Sequence, residues 1–280
     1  MIRNKQAWLN KQTIKLNNSS FKTLNEKLAF IDRENERVYL YLISELSLIL
    51  VKHFDDDGLL LNRFLYEKDV NKILDKVEAS LTRLADENNK LINKELEYFK
   101  TKITKDFITM FEEAEKLGVL TKVDIDLLTI ASSFPYAKYN FVSNLNNGTL
   151  YVKDKLNKLL IKNIINKPNA IKLTKEIEKV FNLNKYIAKR IARTELSRVF
   201  NTTSRQMYTQ RGLRQVKYLD STENPGKSGK EVCDVCKERA NYNDGIYSLD
   251  TAPIVPTHPN CRCCYAPYIT DDQIINKLKL

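Results

Sequence analysis

A chain of 280 residues with 42% apolar side chains has room for two domains, or one domain with a long helical extension, and for a real core. No run reads as a membrane span: the most apolar stretch, residues 39–51, is shorter than the ~20 residues required and contains Glu45. The formal charge is +11, and its concentration over residues 185–217 points to an anionic partner, nucleic acid or an acidic protein surface, with a plain solvated helix face as the alternative.

Proline divides the chain unequally. Only Pro135 and Pro168 interrupt residues 1–224, whereas five of the seven prolines follow. The N-terminal part therefore reads as helical and the C-terminal part as turn-rich. Gly58, Gly118, Gly148 and Gly212 each stand where an apolar periodic stretch ends, as helix caps and turns require.

Residues 24–51 read as one helix. After them, Asp55-Asp56-Asp57-Gly58 resembles a calcium loop only superficially, because an EF-hand alignment puts His53 and Phe64 where its key ligands belong. From Val70 the apolar residues step by four and three through Leu74, Val77, Leu81 and Leu84, then Asn88 and Leu91, a heptad seam with a polar a position. The seam slips at Glu95 and Leu96, so the favoured arrangement is a long helix packed antiparallel on residues 24–51 rather than an intermolecular coiled coil.

Residues 121–150, with Pro135, Tyr136, Tyr139, Phe141 and the turn Asn146-Asn147-Gly148, read as a domain boundary. Helical signal returns over 150–165, breaks at Pro168, and resumes over 174–181 and from 184 or 185 to 211. On the last of these, Ala188, Ala192, Leu196, Val199, Phe200 and Met207 share one side. Lys189, Arg190, Arg193, Arg198 and Arg205 spread over the other, the candidate contact face for an anionic partner. Residues 185–217 hold nine basic side chains against the single acid Glu195. Residues 215–219 alternate as a short strand, and residues 221–231 read as an exposed loop.

All five cysteines fall between residues 233 and 264, as Cys233-x-x-Cys236 followed by His258-Pro259-Asn260-Cys261-Arg262-Cys263-Cys264. Two thiolates, an imidazole and a third thiolate form the ligand set of a closed tetrahedral zinc site. Cys233, Cys236, His258 and Cys261 are the preferred ligands, with Cys263 as the alternative to Cys261 and Cys264 as a buried bystander. Paired disulfides leave one cysteine over, and the start MIRNKQAWLN carries no apolar leader, so a reducing setting is expected. A thioredoxin-type CxxC leaves His258, Cys261 and Cys263 without a role.

The ordered set Ala192-Arg193-Thr194-Glu195, Asn201, Tyr208, Gly212, Tyr218, Asp220, Cys233-x-x-Cys236 and Pro256-x-His258-Pro259-Asn260-Cys261-Arg262-Cys263 resembles the Mu F-like minor head proteins of tailed bacteriophages, also called head morphogenesis proteins. The resemblance covers roughly residues 150–268. With the residue pattern, the expectation is a mainly α (α+β) chain: an N-terminal helical assembly region over 1–150, a minor head domain, as the resemblance implies, with its small zinc-knuckle-like module and short strands over 151–268, and a tail over 269–280.

The same resemblance implies a structural role inside the virion head, reached from the host cytoplasm during assembly, in head morphogenesis and genome packaging or delivery. Portal protein is the implied partner, phage DNA a non-specific one, scaffolding or major capsid protein a further one, and no membrane is met before ejection. Two departures touch loop geometry rather than ligands: Tyr218 stands where Trp is common, and the interval from Asp220 to Cys233 is long. A toxin domain, present after this module in some relatives, is not expected. Arg193 and Glu195 lack helical pairing distance, so Glu195 and Asn201 are expected to hydrogen-bond the backbone of the zinc module.

Two other readings compete. A metal-dependent nuclease would need a base, yet the only histidines are His53 and His258, and Asp220, Asp234, Asp244 and Asp250 follow no recognised metal spacing. A zinc-module DNA-binding regulator would need a base-reading element, and no helix-turn-helix pattern is present. The expectation is a protein that is not an enzyme, with zinc in a structural role.

Overall fold

The computed structural model describes residues 2–50, 68–120, 148, 150–152, 154–156, 158–159, 170–221 and 232–269. The acidic loop at 55–58, the proposed boundary around Pro135, the break at Pro168, most of the loop after Ser221 and nearly all of the C-terminal tail lie outside them. In chain order the principal elements are α1 (Ile2–Lys27), α2 (Ala29–Leu50), α3 (Lys68–Lys116), α4 (Ala170–Gln210), β1 (Gln215–Leu219), α5 (Asp234–Asn241), a 3-10 turn (Tyr242–Gly245), β2 (Ile246–Ser248) and β3 (Cys264–Tyr268). The described chain is mainly helical, with one small sheet near its C-terminal end. No helix among the described residues is long and apolar enough to cross a membrane.

The chain forms two compact units, and they are not successive in sequence. One draws on residues 1–26, 94–137 and 192–280, the other on residues 27–93 and 138–191. The sequence-based partition at residue 150 therefore does not coincide with the packing units, because α3 and α4 each contribute one stretch to both.

In the second unit, Leu42 of α2, Val77 and Leu81 of α3, Val152 and Leu156, and Ile177, Val180 and Phe181 of α4 form one apolar cluster. Tyr39 packs its ring on Phe181 at 5.5 Å. Glu45 pairs with Lys76 and Glu34-bound Arg37 with Glu87, so advancing along α2 means retreating along α3. The heptad seam is thus used within one chain, antiparallel, with Asn88 buried in it. Gly148 differs from its reading as a helix end. It is helical, and a Cβ there would stand 2.8 Å from the Ile187 side chain, so the position is chosen for close packing.

In the first unit the buried face of α3 shifts from the Val77 and Leu84 rows to Leu96, Phe99, Ile103, Phe107, Phe111 and Ala114. Ile92, not Leu91, is the buried residue at the slip, as a straight helix of 3.6-residue period drifts from a strict heptad. Phe107 meets Phe200 and Tyr208 of α4 at 5.5 and 5.7 Å. The two helical stretches foreseen over 174–181 and 185–211 are one helix, α4. Its apolar stripe is buried as read, from Ala188 through Met207. It ends at Gly212, whose φ of +68° lets Leu213 N–H reach back to the Tyr208 carbonyl at 3.0 Å.

The sheet has the order β2-β1-β3, antiparallel throughout. β1 occupies the predicted residues 215–219 and pairs Tyr218 with Tyr265 and Leu219 with Cys264. β3 escapes a pattern reading because four of its five residues are buried, leaving no alternation. Pro267 is tolerated in it because β3 is an edge strand.

Candidate metal centre

Two tight turns bring the donors together. In the first, Cys233 caps α5 in an extended conformation, and its carbonyl accepts the N–H groups of Cys236 and Lys237, both at 3.0 Å. Cys233 is thereby left at the exposed edge and Cys236 is turned inward. In the second, His258 to Cys261, Pro259 occupies the second position and Asn260 the third with φ +62°, and Cys261 N–H closes on the His258 carbonyl at 3.1 Å. Proline followed by a left-handed Asn is the residue pair a type II turn selects.

The sulfurs of Cys233 and Cys236 and a ring nitrogen of His258 all lie within 4.8 Å of one another, as do the sulfurs of Cys236, Cys261 and Cys263. The two groups share Cys236, whose sulfur is 3.5 Å from His258 Nε2. The five cysteines are free thiols. Each group offers soft donors that could hold a metal ion. Cys264 is buried in β3 and belongs to neither group. Strand parity explains this: Cys263 lies two residues before Tyr265 and faces the same way, whereas Cys264 faces the opposite side.

The proton balance within the cluster is uneven. Hydrogen bonds from the Cys236 and Cys263 thiols, against burial, lower the Cys261 thiol to about 3, and the backbone N–H groups of Thr257 and Cys263 help. Hydrogen bonds with Cys236 and Cys261, together with burial, raise Cys263. Burial and the Cys236 thiol raise Cys233, while the backbone N–H groups of Cys236 and Val235 act in the opposite sense. Converging backbone N–H groups on Cys233 and Cys261 are what a thiolate ligand requires. Cys261 and Cys263 stand alike in the second donor group, and neither belongs to the group of Cys233, Cys236 and His258.

Tyr218, almost wholly buried, lies beside the sulfurs of Cys236 and Cys263, and its ring stands edge-on to Tyr265 at 5.6 Å. Burial first, then Cys263, pushes its phenol far above the ordinary value, so it stays a donor. Among the described residues its hydroxyl has no hydrogen-bond partner. A buried phenol facing thiols fits a site whose sulfurs become thiolates, strong acceptors, when an ion binds.

The residues of the helical motif string meet the cysteine segment directly. Thr194 Oγ1 accepts the Asn260 N–H at 3.1 Å. Asn201 donates to the carbonyls of Ser197 at 2.8 Å and Cys263 at 3.2 Å, and accepts from the Tyr265 N–H at 3.2 Å. Tyr208 donates to the Tyr265 carbonyl at 2.8 Å. Asn201 thus makes the backbone contacts anticipated for it, and the buried Glu195 accepts from Arg198 at 3.1 Å.

Helix α1 holds the same segment from a distance of some 245 to 263 residues in sequence. Gln6 donates to the Pro267 carbonyl and accepts from Ile269 N–H, and Asn17 donates to the Arg262 carbonyl. No local signal marks Gln6 or Asn17 in the sequence, since both are ordinary polar residues on a helix.

The five predicted contact cations have partners inside the chain. Lys189 pairs with Asp32 at 2.6 Å, Arg190 lies over the Tyr186 ring, Arg193 donates to Asn25, Arg198 pairs with Glu195 and Arg205 reaches the Leu249 carbonyl. Asp220, Asp234, Asp244 and Asp250 enter no donor group of this kind among the described residues. Comparison with family models, with curated proteins and with solved structures finds no match for the chain.

Proposed function

We propose that the cysteine cluster is a closed structural zinc site and that the chain is a non-enzymatic minor head protein of a tailed bacteriophage, associated with the portal. One observation carries the reading. Within the Mu F-like set, which spans some 70 positions from Ala192 to Cys263, Thr194 meets Asn260 and Asn201 meets Cys263, and Asn201 and Tyr208 also bond the backbone of the adjoining Tyr265. A chance string of weak motifs has no reason to converge on one contact set.

Four soft donors around one ion leave no open position for substrate, which suits a clamp and not a catalyst. Cys233, Cys236, His258 and Cys261 are the ligands in this reading, with Cys263 in reserve. The helices supply surface for the portal and for scaffolding or capsid protein within the head. DNA contact is non-specific and modest, because many basic side chains of α4 are already engaged.

Metal analysis of purified protein, coupled to copurification with a phage portal protein, tests the reading. One zinc per chain, lost in Cys233→Ser, together with portal binding by the wild-type chain, is the expected result. A protein without zinc that ignores the portal overturns it.

A further inference from the structure

Two arginines of the cysteine-bearing unit converge on one strip of α1. Arg193 donates from Nε to Asn25 at 2.8 Å, and the Arg262 guanidinium lies over the Phe21 ring at 5.1 Å. Phe21 and Asn25 are one helical turn apart, so their side chains are neighbours on the same face of α1. Asn17, a further turn back, fixes the Arg262 backbone through its carbonyl at 3.0 Å. The Thr194 hydroxyl, next in sequence to Arg193, holds the Asn260 N–H and so ties the two arginine-bearing segments together.

Neither arginine has a carboxylate partner among the described residues, unlike several other cations of the chain. Lys185 and Lys189 share Asp32, Arg198 takes Glu195 and Arg211 takes Glu115. The two guanidinium groups are presented along one strip of α1, Arg193 held by Asn25 and Arg262 seated on the Phe21 ring, so an oxyanion placed there would meet charged donors from both. The guanidinium fork suits the paired oxygens of a phosphodiester, and ring stacking pre-orients it.

We propose that Arg193 and Arg262, framed by Asn25 and Phe21 of α1, form a binding site for a backbone phosphate of nucleic acid. This narrows the anion contact from the outer face of α4 to Arg193, where that face meets α1 and the cysteine segment. It rests on the proposed function only for the presence of DNA, and it survives failure of the portal association.

The test is fluorescence anisotropy of the full-length protein with a labelled random-sequence duplex DNA over a range of NaCl concentrations, repeated with duplex RNA of the same sequence. For each arginine that meets a phosphate, the slope of log K against log salt is expected to become shallower by about 0.9. Arg193→Gln and Arg262→Gln should each show this change, with affinity falling equally for unrelated sequences. Lys189→Gln, which removes a cation already paired with Asp32, should leave the slope as it is. Arg262→Lys keeps the charge and stem and should keep the slope while weakening binding, which separates loss of phosphate contact from loss of fold. A wild-type protein that fails to bind either duplex at low salt, or arginine variants that retain its slope, would overturn the site. Binding to RNA alone would exclude DNA as the source of the phosphate.

Discussion

The unit that carries the cysteine cluster and the unit built around α2 differ in what joins residues distant in sequence. In the first, besides the aromatic packing of Phe107 on Phe200 and Tyr208, side-chain amides reach backbone groups: Gln6 to Pro267 and Ile269, Asn17 to Arg262, Asn201 to Cys263 and Tyr265. In the second, an apolar cluster of α2, α3 and α4 forms the core, and ion pairs such as those of Asp32 and Glu45 rim it. Turn-rich chain with a short sheet has many backbone groups without regular partners, so it needs directed donors and acceptors. Helices satisfy their own backbones and need only apolar contact. The contrast is a consequence of backbone accounting.

The largest effect that bears on this contrast comes from Cys236, the donor common to both groups. Cys236→Ser is expected to abolish metal retention, and structural zinc supplies about 10–16 kcal/mol of apparent binding free energy in small zinc modules at neutral pH. Hydrogen exchange should then rise over residues 232–269 and stay low over 77–92. Equal loss of protection in both regions would show that the units do not unfold separately.

A middle-sized effect is expected from Asn201→Ala. It leaves the Cys263 carbonyl and Tyr265 N–H without their side-chain partner, at roughly 1–3 kcal/mol for each buried group left unpaired. Urea unfolding of the metal-loaded protein measures it. A change of only about 0.5 kcal/mol, the range of ordinary surface substitutions, would mean that the amide is dispensable.

The smallest effect belongs to the ion-pair side of the comparison. Burial raises the Asp32 carboxyl, but hydrogen bonds and charges from Lys189 and Lys185 outweigh it and hold it below the ordinary 3.8. A carboxylate depressed in the folded state contributes stability above its unfolded pKa, and that contribution is lost as pH falls through the folded value. The side chain is about one-third exposed, so Asp32→Asn should cost only about 0.2–1 kcal/mol at neutral pH. Stability of the variant should also vary less with pH below 3.8 than that of wild type. An unaltered acid dependence would place the depression elsewhere.

Much of the cysteine site is legible in the chain because its chemistry is local. Cys-x-x-Cys on a helix start and His-Pro-Asn-Cys on a turn each prepare two donors within four residues, and turn preferences alone bend both segments. Gly212 and the strand over 215–219 are legible for the same reason. Gly148 misleads because close approach to Ile187, a tertiary contact, dictates a glycine where local sequence suggests a helix end. The basic face of α4 misleads in another way: charge counts along a helix ignore carboxylates such as Asp32 and Glu115 that arrive from other helices.

Periodicity, cap residues and ligand spacing by themselves determined that the chain is mainly helical, that a short strand follows Gly212, and that the cysteines and His258 are grouped donors. Those signals rest on interactions within a few residues, which sequence encodes directly. Tertiary structure alone decided that α1 belongs with the C-terminal segment, that Tyr218 faces the sulfurs, and that Cys263 points into the cluster while Cys264 points away. These depend on strand register and on contacts spanning up to 263 residues, where which partner a side chain meets is set by how the whole chain closes.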